Sequence, residues 1–140
     1  MKSIKTLLLL LLFLQTIYLP AADIAVMERK LGNGFTILMV ERHTTPTVSL
    51  QVRYKTGSRN EVPGKTGLSH MLEHMLFMST KNYGPHEMDE IIERIGGENN
   101  GATAIDYTYY YETAASDRLE LIIALEAERM QNALIKEDEF

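Results

Sequence analysis

Between residues 48 and 54 the chain alternates strictly, with Val48, Leu50, Val52 and Tyr54 interleaved by Ser49, Gln51 and Arg53. That period of two predicts a strand with one buried face. Ahead of it, Val26 to Leu31 and Phe35 to Glu41 flank Gly32-Asn33-Gly34 and predict a β-hairpin. Thr56 to Gly67 is rich in Gly, Pro, Ser, Asn and charge, which predicts a loop. An apolar run from Leu68 to Met78 follows and reads as a helix ending near Ser79, apolar nearly all round and therefore buried. Pro85 can begin the next helix, whose apolar set Met88, Ile91, Ile92 and Ile95 has helical spacing and which Gly96-Gly97 stops. Asn99 to Ala104 and Tyr107 to Thr113 predict two more strands. Ser116 can cap a helix burying Leu119, Ile122, Ile123, Ala127 and Met130, and the acidic stretch after Ile135 can open one more. The order β, β, β, α, α, β, β, α predicts an α+β fold, a mostly antiparallel sheet backed by helices with the Leu68–Met78 helix buried against it.

Inside that helix three ionisable residues break the apolar run: His70, Glu73 and His74. At 3.6 residues per turn they fall within about a 100° arc of one face, so their side chains can converge. Two imidazoles and a carboxylate buried without partners would cost about 2 kcal/mol or more per group. A Zn²⁺ ion held by His70 and His74 compensates the imidazoles, and leaves Glu73 free as a base toward a water that the metal acidifies. The competing reading is a helix of hydrogen-bonded core histidines in a structural domain.

Composition narrows the setting. Lys2 and Lys5, the unbroken leucines 7 to 12 and Pro20-Ala21-Ala22 form the three-part pattern of a secretory signal peptide over residues 1–22, with cleavage between Ala21 and Ala25. The apolar run is short for a membrane span, so no stable membrane anchor is expected, and the protein is expected to be periplasmic or secreted, the alternative being a chain anchored by an uncleaved signal. The chain has no cysteine, which excludes a lipoprotein anchor, disulfides and thiolate zinc sites. Removing Lys2 and Lys5 takes the formal net charge from −5 to −7, a poor balance for nucleic-acid binding. No phosphate-binding glycine loop or nucleophile elbow is present, which disfavours serine or cysteine catalysis. His43 and His86 lie off the motif face, and surface or capping roles are expected for them. The Tyr107, Tyr109, Tyr110 and Tyr111 run is expected to pack within the sheet.

His70-Met71-Leu72-Glu73-His74 with Met75 to Thr80, Gly67-Leu68 before it, Ile95-Gly96-Gly97, and Asn100-Gly101-Ala102-Thr103 with Asp106, Thr108 and Tyr110 resemble the pitrilysin/insulinase family of zinc metallopeptidases. The resemblance covers about Met27 to Phe140. It implies that His70 and His74 ligate Zn²⁺, that Glu73 is the general base for peptide hydrolysis, and that Asn99 to Ala104 forms a sheet edge to which a peptide or small protein substrate adds as a strand. Asn100, Gly101 and Phe77 would contact that substrate; Gly101 stands where the family often has Ala. The family's third ligand, a Glu about 75 residues after the second His, would fall beyond Phe140. Residues 23–140 are therefore expected to be the N-terminal portion of a catalytic domain. Alone they should bind zinc weakly and cleave little, their partner being the rest of the peptidase or a homologous subunit. The alternative is a non-catalytic peptide-binding or partner subunit of the same fold.

Overall fold

The computed structural model describes residues 24–140; the leader read over residues 1–22 lies outside the described residues. Two compact units are formed, divided between His43 and Thr44. In the first, β1 (Val26–Lys30) and β2 (Thr36–Val40) pair antiparallel with Met27 opposite Met39 and Arg29 opposite Ile37. The predicted glycine turn closes this hairpin: Gly34 takes φ 89°, a conformation open to glycine at no steric cost, and Phe35 N donates to Asn33 Oδ1 at 3.0 Å.

The second unit holds β3 (Thr47–Tyr54), α1 (Leu68–Met75), α2 (Glu87–Arg94), β4 (Glu98–Thr103), β5 (Thr108–Ala115) and α3 (Leu119–Asn132). Its sheet is antiparallel with order β3-β5-β4, so β4 is an edge strand. The α+β expectation holds, with two separate sheets in place of a single one. Register puts Val52 opposite Tyr110 and Tyr110 opposite Gly101, which gathers Leu50, Val52, Tyr110, Glu112 and Ala114 on the buried face. The intervening tyrosines take the other face, where Tyr109 stacks on Tyr111 and meets Tyr107 at a tilt, and the Arg53 guanidinium sits 4.3 Å from the Tyr107 ring centre. The aromatic run thus packs with the sheet, split between both faces by the strand period.

Helices α1 and α2 pack on β4, and α3 on β3 and β5. Met88, Ile92 and Leu125 form the apolar centre, flanked by Tyr83, Ile91 and Leu121. The end of α2 follows its glycines: Gly96 adopts φ 74° and Gly97 N donates to Ile92 O at 2.9 Å. Its start differs from expectation. Pro85 lies in a turn, His86 takes a left-handed φ of 59°, and the helix opens at Glu87, whose carboxylate accepts from Gly84 N at 2.8 Å.

Three further expectations are corrected. Ser116 does not cap α3; it begins a 3₁₀ turn, Ser116–Arg118, that runs into the helix. The acidic stretch after Ile135 makes only one 3₁₀ turn, Glu137–Glu139, because Glu139 is drawn to Ser79 and Lys136. The buried side of α3 is only partly the one read from its apolar residues, Ile122 being buried and Ala127 half-buried. Leu119, Ile123 and Met130 are exposed, whereas Ile122, Leu125, Glu126, Glu128 and Arg129 are buried. The helix has turned because its polar residues have partners inside: Arg129 Nε donates to Glu126 Oε1 at 2.6 Å, and Glu128 accepts from Asn82 and Asn132.

Glu112 faces this cluster from β5 with no exposure at all. Burial first, then the neighbouring Glu126 carboxylate, push its carboxyl up to about 9, against the opposing pull of Arg129. The folded chain therefore holds a proton that the unfolded chain releases, so stability is full below the ordinary carboxyl range and falls as pH rises through about 9. Tm is expected to drop between about pH 5 and pH 9, and Glu112→Gln, which cannot ionise, to flatten that drop. Equal slopes for wild type and variant in thermal scans across this range would contradict the assignment.

Candidate metal and peptide site

Helix α1 begins where a carboxylate receives it. Glu61, from the preceding loop, accepts from Gly67 N and Ser69 N, both at 2.8 Å, and these bonds hold its carboxyl below the usual range. Gly67 itself has φ 91°, a left-handed cap position that suits glycine. The helix stops at Met75, one turn before the expected end near Ser79. Phe77 N then bonds to His74 O and Met78 N to Met75 O in the tighter three-residue pattern.

One helical turn separates His70 from His74, and their Nε2 atoms stand 3.1 Å apart. Two nitrogens at 2.0–2.1 Å from one tetrahedral zinc would lie roughly 3.3 Å apart, so the pair fits a shared metal. Both imidazoles are exposed, and of the three motif side chains only Glu73 is buried, at 7% exposure. The expectation of a helix buried all round is therefore wrong: Leu68, Met71 and Leu72 are exposed because they line open cavities, with no described element packed over them. The desolvation argument survives for Glu73 alone, whose Oε2 is buried without a hydrogen-bond partner. A carboxylate oxygen free in this way is what a proton acceptor requires. Among the described residues no third His, Cys, Asp or Glu joins the pair to make a group of three.

Glu73 and His74 open onto a cavity of about 560 Å³, and Phe77 and Asn100 line the same cavity. Gly101 is beside them: a Cβ there would come within 3.2 Å of the Phe77 ring and 3.0 Å of Tyr110. The structure thus brings the residues expected to touch substrate to the edge strand β4, next to the motif. Asn100 Oδ1 accepts from Gly101 N at 2.8 Å. His86 and Asp89, 3.2 Å apart, line the same cavity, and His43 pairs with Glu41 at 3.2 Å. Both keep the surface roles expected of them.

Sequence reasoning missed Glu61 and Arg129, which hold the two ends of α1. Glu61 sits in a polar loop and carries no local signal. Arg129 does: it lies seven residues after Ile122 and four after Leu125, on the buried stripe of α3.

Residues 36–140 match the family model described as Insulinase (Peptidase family M16). The chain belongs to this family. The zinc protease PqqE of Helicobacter pylori is 40% identical over 124 residues, which are 88% of this chain and 27% of that protein. The crystal structure of a protease from Helicobacter pylori superposes with a TM-score of 0.80 at 40% identity, over 83% of this chain and 28% of that one. The crystal structure of pitrilysin superposes with a TM-score of 0.75 at 25% identity, covering 85% of this chain and 13% of the other. As a member of the insulinase family, the chain spans about a quarter of the length of its PqqE relative.

Proposed function

We propose that this chain supplies the ligand pair and the general base of an exported zinc endopeptidase. The observation that carries the reading is the 3.1 Å approach of His70 and His74 Nε2 beside the buried, unpartnered Glu73 oxygen. His70 and His74 would hold the ion, which when bound supplies a Lewis acid that makes water nucleophilic near neutral pH. Glu73 takes the proton from the attacking water and can return it to the leaving amine. The open edge of β4 receives the substrate as an added strand, with Asn100, Gly101 and Phe77 against its backbone and side chains. The family's naming as zinc proteases supports hydrolysis over the alternative of a non-catalytic partner subunit, and so does Glu73 itself, since a binding module gains nothing from a general base. Export rests on the leader pattern.

Two protein ligands make a weaker site than the three of catalytic zinc centres. The 140-residue chain is expected to bind Zn²⁺ weakly and to lose that binding in His70→Ala and His74→Ala, as read by metal titration. Peptide hydrolysis by the complete peptidase should stop with a chelator and return with added Zn²⁺. Chelator-resistant hydrolysis would overturn the metal reading, and brisk chelator-sensitive turnover by this chain alone would overturn its dependence on further residues.

A further inference from the structure

His74 lies in the last turn of α1, and one buried side chain bonds to the backbone just past that turn. Arg129 is 1% exposed. Its Nη1 donates to the Leu76 carbonyl at 3.0 Å, just past the helix end, and its Nε donates to Glu126. The same guanidinium lies 4.8 Å from the Phe77 ring centre and 5.1 Å from that of Tyr110. Its remaining nitrogen, Nη2, faces Glu112 Oε1 at 3.6 Å, beyond hydrogen-bond length.

A buried guanidinium is costly to desolvate, and an apolar side chain of similar volume often serves the core as well. What an apolar side chain cannot do is donate to the terminal carbonyls of a helix, which have no partner within the helix itself. A cation at that end also opposes the helix dipole favourably. The planar fork fixes two directions at once, toward Leu76 O and toward Glu126, while its flat face carries Phe77. Glu126, Glu112 and Tyr110 leave the fork little room to turn.

We propose that Arg129 is a positioning residue for the metal-ligand pair: by holding the Leu76 carbonyl and the Phe77 ring, it fixes the final turn of α1 and the direction in which His74 presents Nε2 to His70. The proposal rests on the zinc reading of that pair, but its first readout needs no metal. Lysine can replace the charge and cannot reproduce the fork, which makes Arg129→Lys the informative variant and Arg129→Met the stringent one.

The test is made on the chain with ring-resolved histidine NMR in the absence of metal, followed by Co²⁺ titration at a temperature well below the Tm of each variant. In Arg129→Lys the His74 ring signals should shift and broaden while those of His43 hold, and Co²⁺ affinity should fall about tenfold, the scale typical of lost outer support to a ligand. A purely structural role would lower Tm and leave the His74 signals and the affinity of the folded protein within about twofold of wild type; that result overturns the proposal. If Arg129→Met does not fold, Arg129→Lys decides alone. A wild-type chain that binds no Co²⁺ sinks the zinc reading, and the imidazole signals then decide the role of Arg129 by themselves.

Discussion

In the complete peptidase, Glu73→Gln should abolish peptide hydrolysis while leaving the metal content unchanged. The carboxylate is 7% exposed, and its Oε2 has no protein partner to lose. An amide of the same shape therefore fits the same space, and the exposed imidazoles of His70 and His74, whose nitrogens stand 3.1 Å apart, keep their geometry. What disappears is the basic oxygen. General-base catalysis is worth about 10²–10⁴-fold, so turnover should fall by at least about 10² with Tm within a few degrees of wild type. Assay of a quenched peptide alongside elemental analysis checks both halves. Retention of more than a tenth of the rate would remove Glu73 from the chemistry, and loss of metal would make it a ligand instead of a base.

A stability loss of comparable weight is expected at a glycine that takes no part in the chemistry. Gly57 sits where the loop before α1 crosses the β4–β5 turn: Ser58 N donates to Ala104 O at 3.1 Å and Arg59 N to Ile105 O at 2.9 Å. A Cβ on Gly57 would fall 2.7 Å from Ile105 O and closer still to Ala104 O, both backbone atoms. Backbone cannot swing away as a side-chain tip can, so Gly57→Ala must break those two bonds or displace the turn. Overpacking at about 1–3 kcal/mol, with about 1 kcal/mol for each bond lost, predicts destabilisation of about 3 kcal/mol. Because the same loop carries Glu61 to the start of α1, metal affinity should weaken alongside. Denaturant unfolding of Gly57→Ala within about 0.5 kcal/mol of wild type would show that the crossing is softer than its geometry implies.

Where one periodicity decides the structure, the sequence was readable. The alternation from Val48 to Tyr54 became β3 with Val52 buried, the Gly32-Asn33-Gly34 turn closed its hairpin, and Met88 with Ile92 marked the core face of α2. The motif itself was legible too, because residues four apart on a helix are neighbours, which brings His74 onto His70 whatever surrounds them. Other features depend on partners distant in sequence, and local pattern is silent about these. Ile123 and Met130 look like core residues until Glu126 and Arg129 find each other and Glu112, which rotates α3 to bury charge in place of apolar surface. Leu68 and Leu72 look buried until it is seen that they border open space. Glu112 could have been suspected, since it shares its strand face with Tyr110 and Ala114 at a period of two.

That carboxyl changes the thermochemistry of the whole chain. Near neutral pH the folded form keeps Glu112 protonated and the unfolded form does not, so each folding event draws close to one proton from the surrounding medium. The heat measured for unfolding will then include the ionisation heat of whichever buffer accepts that proton, and it will differ between phosphate and Tris at the same pH. A compartment that acidifies would favour the closed chain by mass action alone, before any ligand is considered.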